Sequence, residues 1–539
     1  MRERDEMILA DLVQIRAEQR PDLDVLTFEH LSLDGGTTAD EVRTFADLHT
    51  NAHRIAAGFV ANGLGTGERV AVMMRNHPEF VEALIACSIT GALFVPIDPR
   101  TRGDKLVFLL RHAGCTGIIA ADYCLAEIEA VRRQLPALRW VRARETTEGA
   151  PPSSCCGVES LAEWLSAPAP TVDVRVDSPE APLQIMYTSG TTGDPKGIVG
   201  ANFRFCAAGM LGMLFGYRPD ERPYTGLSLT HGNAQSVTLA PALSMGLRAV
   251  FSRRFTKSKL WDVCRAHGCT TFSLVGGMAT AIYSEPARPN DADNPVRMVV
   301  SGGMPAAIWQ AFEQRFDVRI LEFYGAMDGG GMAYKPIGEG PVGSFGKPMP
   351  GIEMRILDES GNECPPGVVG EICCRPASGD DASVEYFGNP EAAAKKIRGG
   401  WNRSGDMGHR DADGWLYFDY RVGGGLRRNG DFIDPSFVEK AVAEHPSVAD
   451  VFVYGVPAAS GAPGEKDVVA VIVPAAGGRF DPAAIFAACR EKLEPNAVPT
   501  YVQVVDEIPK TASEKPVERL LLQQFDPQAA NVHRGHSRS

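Results

Sequence analysis

A loop rich in glycine and hydroxyl side chains is the part of this sequence with the clearest chemistry. It runs from Tyr187 to Gly197 and contains Thr188, Ser189, Gly190, Thr191, Thr192 and Lys196. Glycines let backbone N–H groups approach phosphate oxygens closely, while the hydroxyls add donors and the lysine adds a positive charge. It is not a Walker A loop, because Pro195 stands where that motif needs its second glycine. The loop predicts a site for the phosphates of a nucleotide.

Five further motifs follow this loop in the chain. They are Ser301-Gly302-Gly303-Met304-Pro305, then Glu322-Phe323-Tyr324-Gly325-Ala326-Met327-Asp328, then Trp401-Asn402-Arg403-Ser404-Gly405-Asp406, then Arg427 to Pro435 with Gly430, and finally Pro509 to Lys515. Taken alone, each motif also suits an ordinary turn or a solvated surface. Their order and spacing behind the phosphate loop favour one shared site.

In that order the motifs resemble those of the adenylate-forming superfamily, which includes acyl-CoA synthetases, luciferases and peptide-synthetase adenylation domains. The resemblance extends over residues 40–522. It implies that Gly302 and Gly303 form a turn beside adenine, and that the segment with Glu322, Phe323, Tyr324, Gly325 and Met327 places an aromatic ring on the base. It further implies that Asp406 accepts hydrogen bonds from ribose hydroxyls, a role that suits an acceptor-only carboxylate.

The same resemblance implies roles in metal binding, domain motion and transfer. Thr188 and Asp328 are expected to hold Mg²⁺, and Lys515 is expected to neutralise the transferred phosphoryl group of ATP. Arg421 falls at the hinge of a mobile C-terminal domain, while Arg427 and Gly430 belong to the loop that helps form the CoA tunnel. A solvated arginine pair is the alternative for Arg427 and Arg428.

Four positions depart from the usual family pattern. Met327 and Asp328 replace threonine and glutamate, so the metal-binding acid is one methylene shorter. Gly423, within the triplet 423–425, replaces the usual charged hinge residue. Glu514 stands where glycine usually precedes the lysine. These changes affect the expected rate and conformational balance more than the reaction type.

The acid substrate is less clearly specified than the nucleotide. His231 aligns with a position beside the substrate carboxylate, with a structural histidine as the alternative. The segment Leu229-Thr230-His231-Gly232 lacks the aspartate with which amino-acid-activating members bind the α-amine. Glycines and methionines elsewhere in this region leave adaptable space. We therefore expect a non-amino acid of medium to large or branched shape.

Composition excludes several other classes of function. The 539 residues are 44% hydrophobic and 22% charged, with a formal net charge of −13, which is typical of a globular protein that does not bind nucleic acid. Twelve cysteines lack metal-binding spacing, which favours reduced thiols and a cytoplasmic location. The apolar stretch from Val81 to Ile97 is too interrupted for a membrane span and predicts a buried helix that runs into a strand.

The pattern of helices and strands predicts an α/β fold. Two βαβ-type parallel-sheet subdomains and a β-rich subdomain form a large N-terminal domain over 1–420, followed by a hinge at 421–425. A small, mobile α+β domain over 426–525 carries the lysine, and 526–539 reads as a disordered tail. The first residues, with Ile8, Leu9, Leu12 and Val13 at helical spacing, predict an amphipathic surface helix and not a signal peptide.

The leading hypothesis is an ATP-dependent acyl-CoA ligase that uses ATP, Mg²⁺ and coenzyme A. A stand-alone enzyme that loads a separate acyl carrier protein is the alternative, since this chain contains no carrier site of its own. A luciferase-like oxygen-using enzyme and a nucleotide-binding protein without turnover also stay open. The sequence leaves the oligomeric state open, with a homodimer as one alternative.

Overall fold

Two mainly parallel β-sheets form the large N-terminal part of the chain. This computed structural model describes residues 3–168, 170–188, 195–283, 285–304, 306, 308–421, 426–433, 435–462, 464–475, 480–509 and 518–535.

The first sheet has seven strands in the spatial order Val158–Ser160, Trp140–Arg144, Gly117–Ala121, Arg69–Met73, Leu93–Ile97, Pro182–Thr188 and Lys196–Ala201. Neighbouring strands are parallel except for the last two, which are antiparallel and flank the predicted phosphate loop. Its helices are Phe45–Ala61, Pro78–Thr90, Gly103–Ala113, Leu125–Arg132 and Ala162–Leu165, with 3-10 turns at Asp122–Cys124 and Pro152–Ser154. The helix at Phe45 starts in a capping box, in which the Thr44 hydroxyl accepts from the Asp47 N–H and the Asp47 carboxylate accepts from the Thr44 N–H.

The second sheet has nine strands in the order Lys347–Pro348, Met332–Lys335, Arg319–Gly325, Met298–Gly302, Thr271–Val275, Pro223–Thr225, Ala249–Ser252, Asp24–Glu29 and Glu41–Thr44. Six central strands are parallel, and antiparallel strands close both edges. Its helices are Leu9–Gln19, Leu31–Asp34, Asn202–Ala208, Met210–Leu214, Ala240–Met245, Leu260–His267, Gly276–Tyr283 and Trp309–Phe316, with a π-helix at Ala234–Leu239. The ends of its parallel strands carry the predicted motifs at Gly302 and Tyr324.

The main hydrophobic core lies between these two sheets. Phe94 of the first sheet and Phe28 and Phe251 of the second belong to one buried cluster that also includes the intervening helices. The helix Pro78–Thr90 is buried along its whole length, as expected from its apolar sequence. In this helix, Glu82 Oε1 accepts from Arg43 Nε over 2.7 Å and from the Asn51 side-chain amide over 2.8 Å. Burial nevertheless raises the pKa of Glu82 to about 7.

A third, antiparallel sheet follows, as the turn-rich sequence after residue 341 predicts. Its strands are Ile352–Leu357, Gly370–Pro376, Trp401–Arg410, Ile397–Arg398 and Leu416–Arg421, with the helix Pro390–Lys396 beside them. The long strand Trp401–Arg410 carries Asp406 towards the second sheet. The prediction of an α/β fold with two parallel-sheet subdomains and a β-rich subdomain is confirmed.

The remainder is a small α+β unit. It contains the hairpin Leu426–Arg428 and Asp431–Ile433, a second sheet with the strands Val448–Pro457, Lys466–Pro474, Tyr501–Val504 and Val532–Arg534, and the helices Pro435–Ala443, Pro482–Lys492 and Glu518–Gln524. Residues 422–425 of the predicted hinge lie outside the described residues. No helix among the described residues is long and apolar enough to cross a membrane.

The prediction of a disordered tail from residue 526 is wrong for its first part. Val532–Arg534 form a strand that pairs antiparallel with Tyr501–Val504, and Phe525 and Ala529 pack against the core of the small unit. The short segment has little apolar pattern of its own, because its order comes from pairing with a distant strand. Residues 536–539 lie outside the described residues.

Candidate active site

A single large cavity brings most of the described candidate residues together. Its volume is about 1820 Å³. The predicted residues that line it are His231, Gly302, Gly303, Glu322, Phe323, Tyr324, Gly325, Met327, Asp328, Asp406, Arg427 and Gly430. The cavity therefore extends from the ends of the second sheet to the hairpin of the small unit.

Asp406 and Tyr324 meet across two different sheets. The Tyr324 hydroxyl donates to Asp406 Oδ2 over 2.7 Å, and one face of the tyrosine ring stacks on Phe345 at a centroid distance of 4.6 Å. Asp406 is 6% exposed, and its backbone N–H donates to the Ser404 hydroxyl over 3.0 Å. The pair fixes a carboxylate and an aromatic ring at one end of the cavity, as a ribose and a base require.

Glu322 supports the glycine turn instead of lying free in the cavity. Its carboxylate accepts hydrogen bonds from the backbone N–H groups of Gly303 and Met304. The side chain is buried, and burial raises its pKa to about 7. Gly303 has a φ of +99°, a conformation that favours glycine. The described contacts thus give Glu322 a positioning role in the turn that the sequence associates with adenine.

Asp328, the predicted metal-binding acid, lies in a cluster of cations. Lys396 Nζ is 2.9 Å from Asp328 Oδ2, and the Tyr386 hydroxyl donates to the same oxygen over 2.9 Å. Lys196 lies over the Tyr386 ring, 5.2 Å from its centroid. Partial burial and the ammonium of Lys396 lower the pKa of Lys196. This cluster has the charge needed to bind an anion such as a triphosphate.

Gly430 brings the small unit into direct contact with the second sheet. Its φ is +83°, and an added Cβ would lie 2.8 Å from Cγ2 of Val275. A side chain there would therefore separate the two surfaces. Arg427 lines the cavity, and its Nε lies 3.4 Å from Glu465 Oε1. Arg428 Nη1 instead donates to the backbone carbonyl of Val498 over 2.6 Å. Of the two arginines, only Arg427 lines the cavity.

His231 also meets the small unit. Its Nε2 lies 3.2 Å from Asp431 Oδ1. Loss of hydration by itself would lower the pKa of His231, but the hydrogen bond and charge of Asp431 outweigh this effect and raise it. Burial acts to raise the pKa of Asp431, yet His231 and Arg100 hold it well below its usual range. The histidine is thus part of an ion pair across the interface.

Several candidate residues fall outside what can be described. Ser189, Gly190, Thr191, Thr192, Gly423, Glu514 and Lys515 lie outside the described residues. For Thr188 and Arg421 only the backbone is described: Thr188 pairs with Lys196, and Arg421 pairs with Asp406. The roles predicted for these residues stay predictions.

Four functional candidates were missed by the sequence reasoning. Lys396 ends the short helix Pro390–Lys396, and Tyr386 lies in the loop before it. Arg204, in the helix Asn202–Ala208 at the cavity wall, interacts electrostatically with Asp328. Asp431 stood inside a predicted motif, but nothing in the sequence indicated contact with His231. Each depends on a contact between distant segments, which local patterns do not reveal.

Sequence comparison identifies the family to which this site belongs. A family profile described as "AMP-binding enzyme" matches residues 13–379, and one described as "AMP-binding enzyme C-terminal domain" matches residues 438–515. The chain belongs to the AMP-binding enzyme family. The predicted adenylate-forming superfamily, in its acyl-CoA synthetase branch, is therefore confirmed, and with it an AMP-forming acid–thiol ligase.

Individual relatives of this AMP-binding enzyme are named for different acid substrates. It is 30% identical over 523 residues to a sulfoacetate–CoA ligase of Cupriavidus necator, covering 95% of this chain and 97% of the relative. It is 29% identical to the fatty acid–[acyl-carrier-protein] ligase ScoC of Streptomyces coeruleorubidus, covering 89% and 91%. Among solved structures, o-succinylbenzoate CoA synthetase of Bacillus subtilis, a double mutant bound to a product analogue, has a TM-score of 0.78 at 23% identity, covering 97% and 99%. The last likeness supports the fold alone.

Proposed function

We propose that this AMP-binding enzyme joins a carboxylic acid to coenzyme A in two half-reactions. The acid first attacks the α-phosphate of ATP, which gives an acyl-adenylate and pyrophosphate, and the CoA thiol then displaces AMP. The observation that carries the proposal is the continuity of the cavity. Tyr324 and Asp406 line it at the predicted nucleotide end, while Arg427 and Gly430 of the small unit line it at the predicted thiol end.

The first half-reaction needs positive charge more than a base. A carboxylic acid is already ionised at neutral pH, so the site must align two anions and neutralise charge on the phosphoryl oxygens. We assign Lys196, with Thr188, Ser189, Thr191 and Thr192, to the β- and γ-phosphates, and Lys515 to the transferred phosphoryl group. The cation cluster around Asp328 supports this assignment because it adds Lys396 and Arg204 to the same region.

Asp328 also fits a magnesium ion that arrives with ATP. Mg²⁺ keeps several waters and takes one or two protein carboxylates together with substrate phosphates. The described residues contain no group of three metal-binding side chains, so the phosphates of ATP would supply most of the ligands and Asp328 one more. The ion would draw charge away from the phosphate oxygens. Lys396 competes for the same carboxylate oxygen.

Replacing Lys396 by methionine should therefore strengthen magnesium binding. An ion pair of about 1 kcal/mol at Asp328 is lost, so the free Mg²⁺ concentration at half-saturation should fall about fivefold. Calorimetric titration of Mg²⁺ into the enzyme with a non-hydrolysable ATP analogue measures this without turnover. Lys395→Met is the matched control, because Lys395 makes no ion pair with a described carboxylate. An unchanged or weaker magnesium affinity in Lys396→Met would contradict the competition.

An apolar acid of medium to large or branched shape fits the described walls best. Phe203 and Met210 line the cavity although their side chains are 49% and 53% exposed. Exposed apolar side chains in a cavity mark a surface that an apolar ligand covers. Leu211, Met278 and Met332 continue this wall. Arg204 adds one cation, so an acid with a second anionic group, like the sulfoacetate of the Cupriavidus relative, is the competing class.

Loading of a carrier protein is the second candidate function. It is favoured by the similarity to ScoC, which acts on an acyl carrier protein. Both acceptors end in the same type of thiol, so the cavity fits either. The acceptor must therefore be distinguished by experiment.

Pyrophosphate release across a panel of acids, with and without CoA, tests the proposal. We expect release to depend on ATP and on an apolar acid, and CoA to yield a thioester detectable by mass spectrometry. Amino acids should be poor substrates, because Leu229-Thr230-His231-Gly232 contains no acid for an α-amine. Adenylate formation with no CoA thioester, but with transfer to a purified carrier protein, would favour carrier loading. Preference for sulfoacetate would contradict the proposed acid class.

A further inference from the structure

His231 and Asp431 form a charged pair across the boundary between the large N-terminal part and the small unit. His231 precedes the π-helix Ala234–Leu239, and Asp431 begins a strand of the small unit's hairpin. His231 Nε2 lies 3.2 Å from Asp431 Oδ1, and a side-chain hydrogen bond to Asp431 contributes to the raised pKa of His231. The contact exists only while the small unit holds its hairpin against the cavity, because the two residues belong to separate elements on its two sides.

Asp431 is held in place on its other oxygen. Arg100 Nη2 lies 2.9 Å from Asp431 Oδ2, and the Asn496 side-chain amide donates to that same oxygen. Arg100 is itself fixed by Asp98, which accepts from its Nε over 2.9 Å and from its Nη2 over 2.6 Å. The charged groups that face His231 are therefore Asp431, Asp98 and Arg100. Oδ1 of Asp431 is directed to the histidine by this support.

The contact with Asp431 selects the tautomer of the neutral His231 imidazole. Because Nε2 carries the hydrogen that Asp431 accepts, Nδ1 carries the lone pair when the ring is neutral. Nδ1 makes no hydrogen bond to any described residue, and the His231 side chain is 42% exposed, in the wall of the cavity. Gly430, beside Asp431, lines the same cavity. A thiol that enters past the hairpin reaches a base that is already oriented.

We propose that His231, oriented by Asp431, is the general base that accepts the thiol proton in the second half-reaction. The inference rests on the proposed ligase function. The S–H proton moves to Nδ1 as the sulfur attacks the carbonyl carbon of the acyl-adenylate. The bond from that carbon to the phosphate oxygen then breaks, and AMP leaves with the electron pair. The histidinium afterwards releases its proton to water.

The two half-reactions differ in their need for such a base. The substrate carboxylate of the first step is ionised at neutral pH, whereas a thiol with a pKa of about 8.5 is mostly protonated. A base completed by the small unit would serve only the step in which that unit presents the thiol. Asp431 is thus a positioning residue, and His231 touches the reacting group.

The test separates the two half-reactions in the full-length enzyme. Acyl-adenylate is supplied or formed first, and single-turnover thioester formation with CoA is then followed by rapid quench from pH 5.5 to 9. Removing a general base costs roughly 10²–10⁴-fold, so His231→Gln should slow thioester formation by that factor. Asp431→Asn should slow it less and should move the acid limb of the pH profile to lower pH, because the carboxylate no longer raises the pKa of His231. Pyrophosphate release without CoA should fall less than thioester formation in Asp431→Asn, because the carboxylate of the first step needs no base.

Arg100→Gln is the matched control, since it breaks an ion pair to Asp431 and leaves the bond to His231. If the pair serves only to dock the small unit, Arg100→Gln and Asp431→Asn will lose activity equally and both will keep the wild-type pH profile; that result overturns the proposal. A more acidic thiol such as trifluoroethanethiol depends less on a general base, so the rate of thioester formation in His231→Gln should fall by a smaller factor with this thiol than with CoA. An equal fall in rate with both thiols would also overturn the proposal. Wild-type enzyme that forms no CoA thioester would refute the ligase function itself, before any variant is compared.

Discussion

Replacing Asp406 by alanine is expected to raise the KM for ATP by about 10²–10⁴-fold. Two hydrogen bonds from ribose hydroxyls to a carboxylate, each of about 1.5–3 kcal/mol, would be lost. The position supports this role because Asp406 lies in the cavity wall and already accepts from the Tyr324 hydroxyl over 2.7 Å. Pyrophosphate release at increasing ATP concentration measures the effect, and calorimetry with a non-hydrolysable analogue measures binding directly.

Two controls locate the effect in the ribose contact. Tyr324→Phe keeps the ring and removes only the hydroxyl that donates to Asp406, so its KM should change by about tenfold or less. Asp413→Ala removes the same charge from an exposed turn of the same sheet and should leave the KM unchanged. If Asp406→Ala binds the analogue as tightly as the wild type, the ribose assignment is wrong.

The sequence predicts the strands whose pattern is local. The apolar stretch from Val81 to Ile97 forms most of the helix Pro78–Thr90 and the strand Leu93–Ile97, as predicted, because a continuous apolar run is typical of an element that is buried on all sides. The strand Asp24–Glu29 was missed. It is completed by pairing with Ala249–Ser252, and no pattern near residue 24 reports a partner so far along the chain.

The same distinction applies to the site. Motif resemblance identified Tyr324 and Asp406 separately, and the structure brings them into one hydrogen bond. The pairing of Asp328 with Lys396 was not predicted, because a lysine in the last turn of a helix normally faces water and complements the helix dipole. Glu322 was assigned to the nucleotide, but its described bonds go to the backbone of the glycine turn. The sequence shows which residue types are available for a site, whereas the residue that each side chain contacts depends on the packing of distant segments.

Lys515→Ala is expected to slow acyl-adenylate formation by about 10²–10³-fold, the usual cost of losing one preorganised group that stabilises developing charge. The reason is that no other cation is assigned to the transferred phosphoryl group, since Lys196 is assigned to the β- and γ-phosphates. Pyrophosphate release without CoA measures the step. Lys510→Ala removes the same charge from the same loop and should retain the wild-type rate.

The decisive comparison is between Lys515→Ala and Asp431→Asn, because both residues belong to the small C-terminal unit. Lys515→Ala should lose the first half-reaction and still convert supplied acyl-adenylate with CoA, while Asp431→Asn should show the opposite pattern. Opposite losses are the pattern expected of a unit that presents one residue in each step. Loss of the same half-reaction in both variants would contradict that motion, and Gly423 at the predicted hinge would then need another explanation.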